Sequence, residues 1–311
     1  MMDYTDRHER YFLRLISKNV LLYTEMLTTQ ALLNGDPQRL LRYHASEHPI
    51  ALQLGGSNAD ELAVCAQLAE QAGYDEVNLN VGCPSDRVKA GKFGACLMAE
   101  ADLLAQCFTV MQSKVSIPVT IKCRIGIDEQ DEAQTLPVFI KTLADAGCSI
   151  FVIHARKAWL KGLSPKENRA IPPLNYPLVY DIKREFEGLT ISLNGGVQTI
   201  QAAEQHLQHV DGVMIGRAAY HNPYILAQAD QILYGSKVKP RTRKQILSHY
   251  LPYIEQQLEE GVRLSQISRH ILGLFHGLPG ARQWRRYLSE NANKPQAGCV
   301  VIKTAASYVQ E

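Results

Sequence analysis

Seven short runs rich in Val, Ile and Leu punctuate residues 1–235, and several of them are separated by stretches of helical length. They are LLYT (21–24), IALQL (50–54), EVNLN (76–80), PVTIK (118–122), IFVIH (150–154), TISLN (190–194) and GVMIG (212–216). Brief, largely apolar runs of this kind suit strands buried in a parallel sheet. The amphipathic segments at 60–72, 97–114 and 132–146 supply the crossovers. Such alternation restricts the chain to an α/β fold, either a doubly wound sheet or a (β/α)8 barrel.

The strand ends decide between them. Nearly every run closes on polar or glycine residues: Gln53 before Gly55 and Gly56, Asn78 and Asn80 before Gly82 and Cys83, Lys122 with Arg124, His154 with Arg156, Asn194 with Gly195 and Gly196, and Gly216 with Arg217. A doubly wound sheet would gather such groups at its switch point, whereas a barrel brings all its strand ends to one mouth. The pattern predicts a TIM (β/α)8 barrel. Only seven strand signals are present, because the opening DRHERYFLRLIS predicts a first barrel helix with no strand before it. The expectation is therefore a barrel lacking its first strand, with two strand edges left unpaired.

After Gly235 the texture changes. Helices are expected at 246–260, 264–275, 282–290 and 302–309, with a break at Pro279 and Gly280. The predicted organisation is a barrel domain over 1–235 and an all-helical domain over 236–311. Charge divides in the same place. Residues 1–235 carry 21 Lys and Arg against 26 Asp and Glu, a net of −5, while residues 236–311 carry 12 against 5, a net of +7. A basic quarter on an acidic body suggests a localised polyanion contact, with nucleic acid the leading candidate and a solvated helical surface the alternative.

Composition excludes several classes. Hydrophobic residues at 46% and charged residues at 21% are those of an ordinary globular protein rather than a disordered or collagen-like chain. Seven cysteines without CxxC spacing predict free thiols in a reducing compartment, the cytoplasm, and no zinc site. No apolar run approaches the ~20 residues of a membrane span. The start MMDYTDRHER lacks the apolar core of a signal peptide.

NLNVGCPSDRV (78–88) is the strongest local signal. It puts Cys83 just past a strand end, on a loop that Pro84 keeps out of helical geometry, where a thiol can donate a proton or attack. Asn194-Gly195-Gly196 and Gly216-Arg217 end the last two strands, where barrels often bind phosphate on exposed backbone N–H groups. Lys122, Arg124, His154 and Arg156 put four potential cations at neighbouring strand ends. They suit an anionic cofactor or substrate, unless they form an ion-pair network with acids such as Glu25. His206 and His209 read as surface residues. No GxGxxG, Walker, HExxH or GxSxG motif is present.

These motifs, with LLYTEM, ALQLGG, FGACLM, IHARKAWLKGLSPKENR, LNGGV, DGVMIGR and PGARQWRRYLSENA, run along nearly the whole chain. On them the chain resembles the tRNA-dihydrouridine synthases, and specifically the bacterial subfamily that modifies positions 20 and 20a of the tRNA D-loop. The resemblance implies an FMN-containing oxidoreductase that takes electrons from NADPH and has tRNA as its partner, with no membrane and no obligate protein partner. It implies that Met1, Gln53, Lys122 and His154 contact the flavin, and that Asn194, Gly195, Gly196, Gly216 and Arg217 hold its phosphate. Cys83 would be the catalytic proton donor, with Asn80 beside the uracil. Arg156, Lys157, Lys161, Lys166 and Arg169 on the long loop, with Arg269, Arg282, Arg285 and Arg286, would contact tRNA. That family opens with a strand ending in Ala-Pro-Met. Met1 stands where that Met would be, which predicts a natural start further upstream or a truncated copy.

Overall fold

The computed structural model describes residues 1–311 except the side chains of Arg87 and Lys89. Seven parallel strands follow one another in chain order: β1 (Leu22–Thr28), β2 (Ile50–Gly55), β3 (Glu76–Val81), β4 (Val119–Arg124), β5 (Ile150–His154), β6 (Thr190–Asn194) and β7 (Gly212–Met214). Each pairs in parallel with the next. The sheet curls, because Tyr23 of β1, Val152 of β5, Ser192 of β6 and Gly212–Met214 of β7 line one cavity of about 230 Å³. The architecture is a TIM-type α/β barrel with seven strands, and among the described residues no strand joins β1 to β7.

The outer face of the sheet is apolar. Val77, Leu79 and Val81 of β3 and Val119, Ile121 and Cys123 of β4 are all buried. Against this face pack α2 (Ala59–Gln71), α3 (Ala101–Gln112), α4 (Glu132–Asp145), α5 (Tyr176–Glu185) and α6 (Ile200–His206), which follow α1 (Arg7–Ile16). Side-chain caps begin four of these five helices, with Asn58, Asp131, Asn175 and Thr199 accepting first-turn backbone N–H groups. Each such cap typically contributes about 1 kcal/mol.

Several expected boundaries move: β7 ends at Met214 rather than 216, and the helices expected at 246–260 and 302–309 each begin three residues earlier. β1 runs to Thr28 instead of ending at 24, with a register shift between Tyr23 and Met26. The Thr24 hydroxyl takes the N–H of Gln53 at 3.0 Å and donates to the Glu25 carbonyl, so side-chain bonding carries the strand through a polar bulge. The segment expected at 97–114 begins as a 3-10 turn over Gly94–Ala99 before α3. The segment expected at 264–275 is helical only over Leu264–Ser268, beyond which the N–H groups of His270, Ile271 and Leu274 bond carbonyls three residues back and make successive turns.

From residue 236 onward the regular elements are all helical: α7 (Arg243–Glu259), α8 (Leu264–Ser268), α9 (Ala281–Asn291) and α10 (Cys299–Ser307). They dock on α1. Tyr11 of α1 stacks on Tyr253 of α7 with ring centroids 4.0 Å apart, and Tyr250 continues the stack at 5.4 Å. Beside it the carboxylate of Asp6 takes Arg269 at 2.8 Å and His270 at 2.9 Å. On its other side α1 is tied to the barrel by the buried Arg10–Glu47 pair at 2.7 Å, and by Arg14, whose guanidinium donates to the carbonyls of Glu47, Ser17, Val20 and Pro49. Among the described residues no helix is long and apolar enough to cross a membrane.

Candidate active site at the strand ends

Strand alternation points every second side chain into the barrel. In β3 and β4 these are Glu76, Asn78 and Asn80, then Thr120, Lys122 and Arg124, so the inner face is polar while the outer face is apolar. Gln53 of β2 joins them. Its amide nitrogen donates to Asn78 Oδ1 at 2.9 Å and its amide oxygen accepts from Asn80 Nδ2 at 2.8 Å.

Asn80 then builds the cysteine loop. Its Oδ1 accepts the backbone N–H groups of Gly82 at 3.1 Å and Cys83 at 2.9 Å. On the other side the Cys83 carbonyl accepts the N–H of Ala95 at 3.0 Å. Arg124 closes the loop from below, donating from Nε to the Gly82 carbonyl at 2.9 Å and from Nη1 to the carbonyls of Lys157 and Asn168. Cys83 is thus half-buried on a loop held from three directions, with its Sγ 3.5 Å from the Ser85 hydroxyl.

The cations gather beside it. Burial, with Arg124 nearby, holds the Lys122 ammonium down at about 8, while Cys83 is close enough to act in the opposite direction. Burial, followed by the charges of Lys122, Arg124, Arg156 and Arg217, pushes His154 well below its usual range, so its ring is neutral. No salt bridge joins Glu25 to any of these groups among the described residues; its Oε1 takes the backbone N–H of Asp3 instead. The ion-pair alternative therefore fails. Among the described residues two buried nitrogens in the cluster, His154 Nδ1 and Arg156 Nε, have no hydrogen-bond partner.

At the ends of β6 and β7 the backbone is open. Gly195 and Gly196 take φ of +112° and +75°, and a Cβ on Gly196 would meet Leu174 Cδ1 and Tyr176 Oη at 2.6 Å. Asn194 braces the turn through its Nδ2 bond to the Met214 carbonyl at 2.7 Å. Arg217 lies exposed beside Gly216, donating to the Arg169 carbonyl at 2.9 Å, and the Met1 thioether lies against Gly216. A cationic mouth with unpartnered buried nitrogens and a glycine turn that side chains would fill fits the phosphate and ring of a flavin mononucleotide.

The other predicted cations fall into two groups. Lys157 is turned to Glu132 at 3.0 Å and to the Gln130 carbonyl, Arg156 to the Pro172 carbonyl, Arg269 to Asp6, and Arg286 to Glu290 at 2.8 Å. Lys161, Lys166, Arg169, Arg282 and Arg285 are exposed. Sequence reasoning missed Glu76 and Thr120 and gave Asn78 no more than a place among the polar strand ends, although the period-two alternation in EVNLNV and VTIKCR carried the signal. It also missed Asn168, whose side chain bonds Trp159, Leu163 and Ser164 and folds the long loop.

A family model described as "Dihydrouridine synthase (Dus)" matches residues 1–309. The chain is 61% identical over 310 residues to the tRNA-dihydrouridine(20/20a) synthase of Shewanella oneidensis, covering 100% of this chain and 92% of that protein. It is 57% identical to the proteins of the same name from Vibrio cholerae, over 99% of this chain and 94% of the relative, and from Escherichia coli K12, over 100% and 90%.

Proposed function

Because the chain belongs to the dihydrouridine synthase family, we propose that it reduces uridines 20 and 20a in the tRNA D-loop to 5,6-dihydrouridine. The observation that carries the reading is Cys83, held on a clamped loop beside the buried cation Lys122 and the neutral His154. When bound, FMN reduced by NADPH supplies the hydride that goes to uracil C6. The protein's own residues do the rest. Lys122 and His154, with Gln53 and Met1, hold the ring, and Asn194 to Gly196 with Gly216 and Arg217 hold the phosphate. Asn80 orients the pyrimidine, and the Cys83 thiol gives its proton to C5 from the opposite face.

The target base leaves its stack to reach the mouth, which costs less in a loop than in a duplex. In this reading residues 1–235 do the chemistry and residues 236–311 hold RNA. Exposed Lys166, Arg169, Arg282 and Arg285, with Lys161 and Arg286 beside them, meet phosphates, so binding falls steeply with salt. The paired cations Arg156, Lys157 and Arg269 shape the surface on which RNA lies. A tRNA substrate and the free thiols accord with a cytoplasmic location. The test is to supply the purified chain with FMN, NADPH and unmodified tRNA and to measure the mass of the D-loop fragments. A gain of two hydrogens at positions 20 and 20a supports the reading, and unchanged fragments with flavin bound reject it.

A further inference from the structure

A single hydrogen-bonded chain runs down the barrel interior from the cysteine loop to a buried acid. The backbone N–H groups of Gly82 and Cys83 donate to Asn80 Oδ1, and Asn80 Nδ2 donates to Gln53 Oε1. Gln53 Nε2 donates to Asn78 Oδ1, and Asn78 Nδ2 to the Thr120 hydroxyl at 2.8 Å. The Thr120 hydroxyl donates to Glu76 Oε1 at 2.6 Å, and Tyr23 donates to the same oxygen at 3.0 Å. Every bond points the same way.

That direction is dictated at both ends. Backbone N–H groups can only donate, so the oxygen of Asn80 must face them. At the bottom, Glu76 Oε1 accepts in the carboxylate and, with a proton on Oε2, in the acid as well. The one proton of Thr120 is then committed, and its oxygen can only accept, so Asn78 must present its nitrogen. The two constraints meet in Gln53 without conflict. One N–H of Asn80 and one N–H of Gln53 remain uncommitted, and these are the donors available to acceptors on a pyrimidine or an isoalloxazine.

We propose that Glu76, acting through Thr120 and Asn78, is a positioning residue for the reaction: as the terminal acceptor it fixes which way round the Gln53 and Asn80 amides stand. The inference rests on the proposed function for what those amides meet, but not for the chain of bonds itself. Linked bonds of this kind polarise and rigidify one another, so a break at the bottom is felt at the top.

The test uses the full chain with selective 15N labelling of Asn and Gln side chains, first without added ligand. Thr120→Val keeps the side-chain volume and removes the link. It is expected to move the side-chain amide signals of Gln53 and Asn80 as well as that of Asn78, with Thr120→Ser restoring them. Glu76→Leu should do the same, and Glu76→Gln, which can put an oxygen in the same place, should largely reverse it. With FMN and tRNA, kcat in Thr120→Val is expected to fall roughly ten- to hundredfold, while KM for tRNA stays within about twofold. Shifts confined to Asn78, or an undiminished kcat, overturn the proposal. If Glu76→Leu does not fold, the Thr120 pair decides alone. If the variants show the linked shifts but the wild-type chain makes no dihydrouridine, the network stands and the reaction is rejected instead.

Discussion

The amide oxygen of Asn80 holds the backbone N–H of Cys83 at 2.9 Å, so a side chain inside the barrel sets where the thiol stands. The loop is anchored through its backbone, by Asn80, Ala95 and Arg124, and not through the sulfur. Removing the sulfur should therefore leave the loop in place. Cys83→Ala is expected to bind FMN and tRNA as the parent chain does and to lose about a hundredfold or more in turnover, the usual worth of a positioned acid. Single-turnover reduction of uridine, measured beside the two binding constants, checks this.

Lys122 carries a pH signature. Burial, reinforced by Arg124, brings its ammonium down to about 8, whereas the unfolded chain keeps it near the ordinary lysine value of about 10.4. Between those limits the unfolded state binds more protons, so this residue makes stability rise with pH through that window. Affinity for an anion runs the other way. In the parent chain FMN binding should weaken as pH passes about 8, and in Lys122→Met it should be weaker but lack that inflection. Titration calorimetry from neutral to alkaline pH, with both chains, gives the comparison.

The glycine turns separate strain from access. Gly196 has φ of +75° and neighbours 2.6 Å from where a Cβ would sit. Gly196→Ala should cost about 1–2 kcal/mol from the backbone conformation alone, and more from the contacts. At Gly216 the nearest atom to an added Cβ is Met1 Sδ at 3.4 Å, an ordinary contact. Gly216→Ala should thus keep the melting temperature while lowering FMN affinity. A melting curve and a flavin titration on each variant separate the two effects.

Asp6 controls acid stability at the junction of α1 with the C-terminal helices. Burial alone would raise its pKa, but the hydrogen bond and charge of His270, with Arg269, outweigh burial and hold it below the carboxylate range. A depressed acid adds stability above its unfolded pKa, near 3.9, and that contribution is lost as pH falls through the lower folded value. Asp6→Asn should cost about 2 kcal/mol at neutral pH, with the deficit shrinking under acid. Denaturant unfolding at pH 7 and at the lowest pH that keeps the chain folded measures both.

The strands were legible because their outer faces are continuous aliphatic rows, and the mouth was legible because glycine, lysine and histidine crowd the ends of those rows. Less visible was the inside. Glu76, Asn78 and Thr120 look like interruptions of an apolar run until the strands are paired and the period-two faces separate. The continuation of β1 was hidden for the same reason: Thr24 and Glu25 are polar, and only the Thr24 hydroxyl bonded to Gln53 shows that the strand goes on. Arg124 read as one more cation for a ligand, yet three carbonyls far apart in sequence claim it.

The tyrosine stack between α1 and α7 makes a caliper of the molecule. With Tyr11, Tyr250 and Tyr253 face to face and Asp6 bound to Arg269 beside them, the basic arm is tied to the first helix of the barrel. The span from arginines to thiol is thus a built-in ruler. On the proposed function, that length selects which nucleotide of an RNA arrives opposite the sulfur, before any base is read.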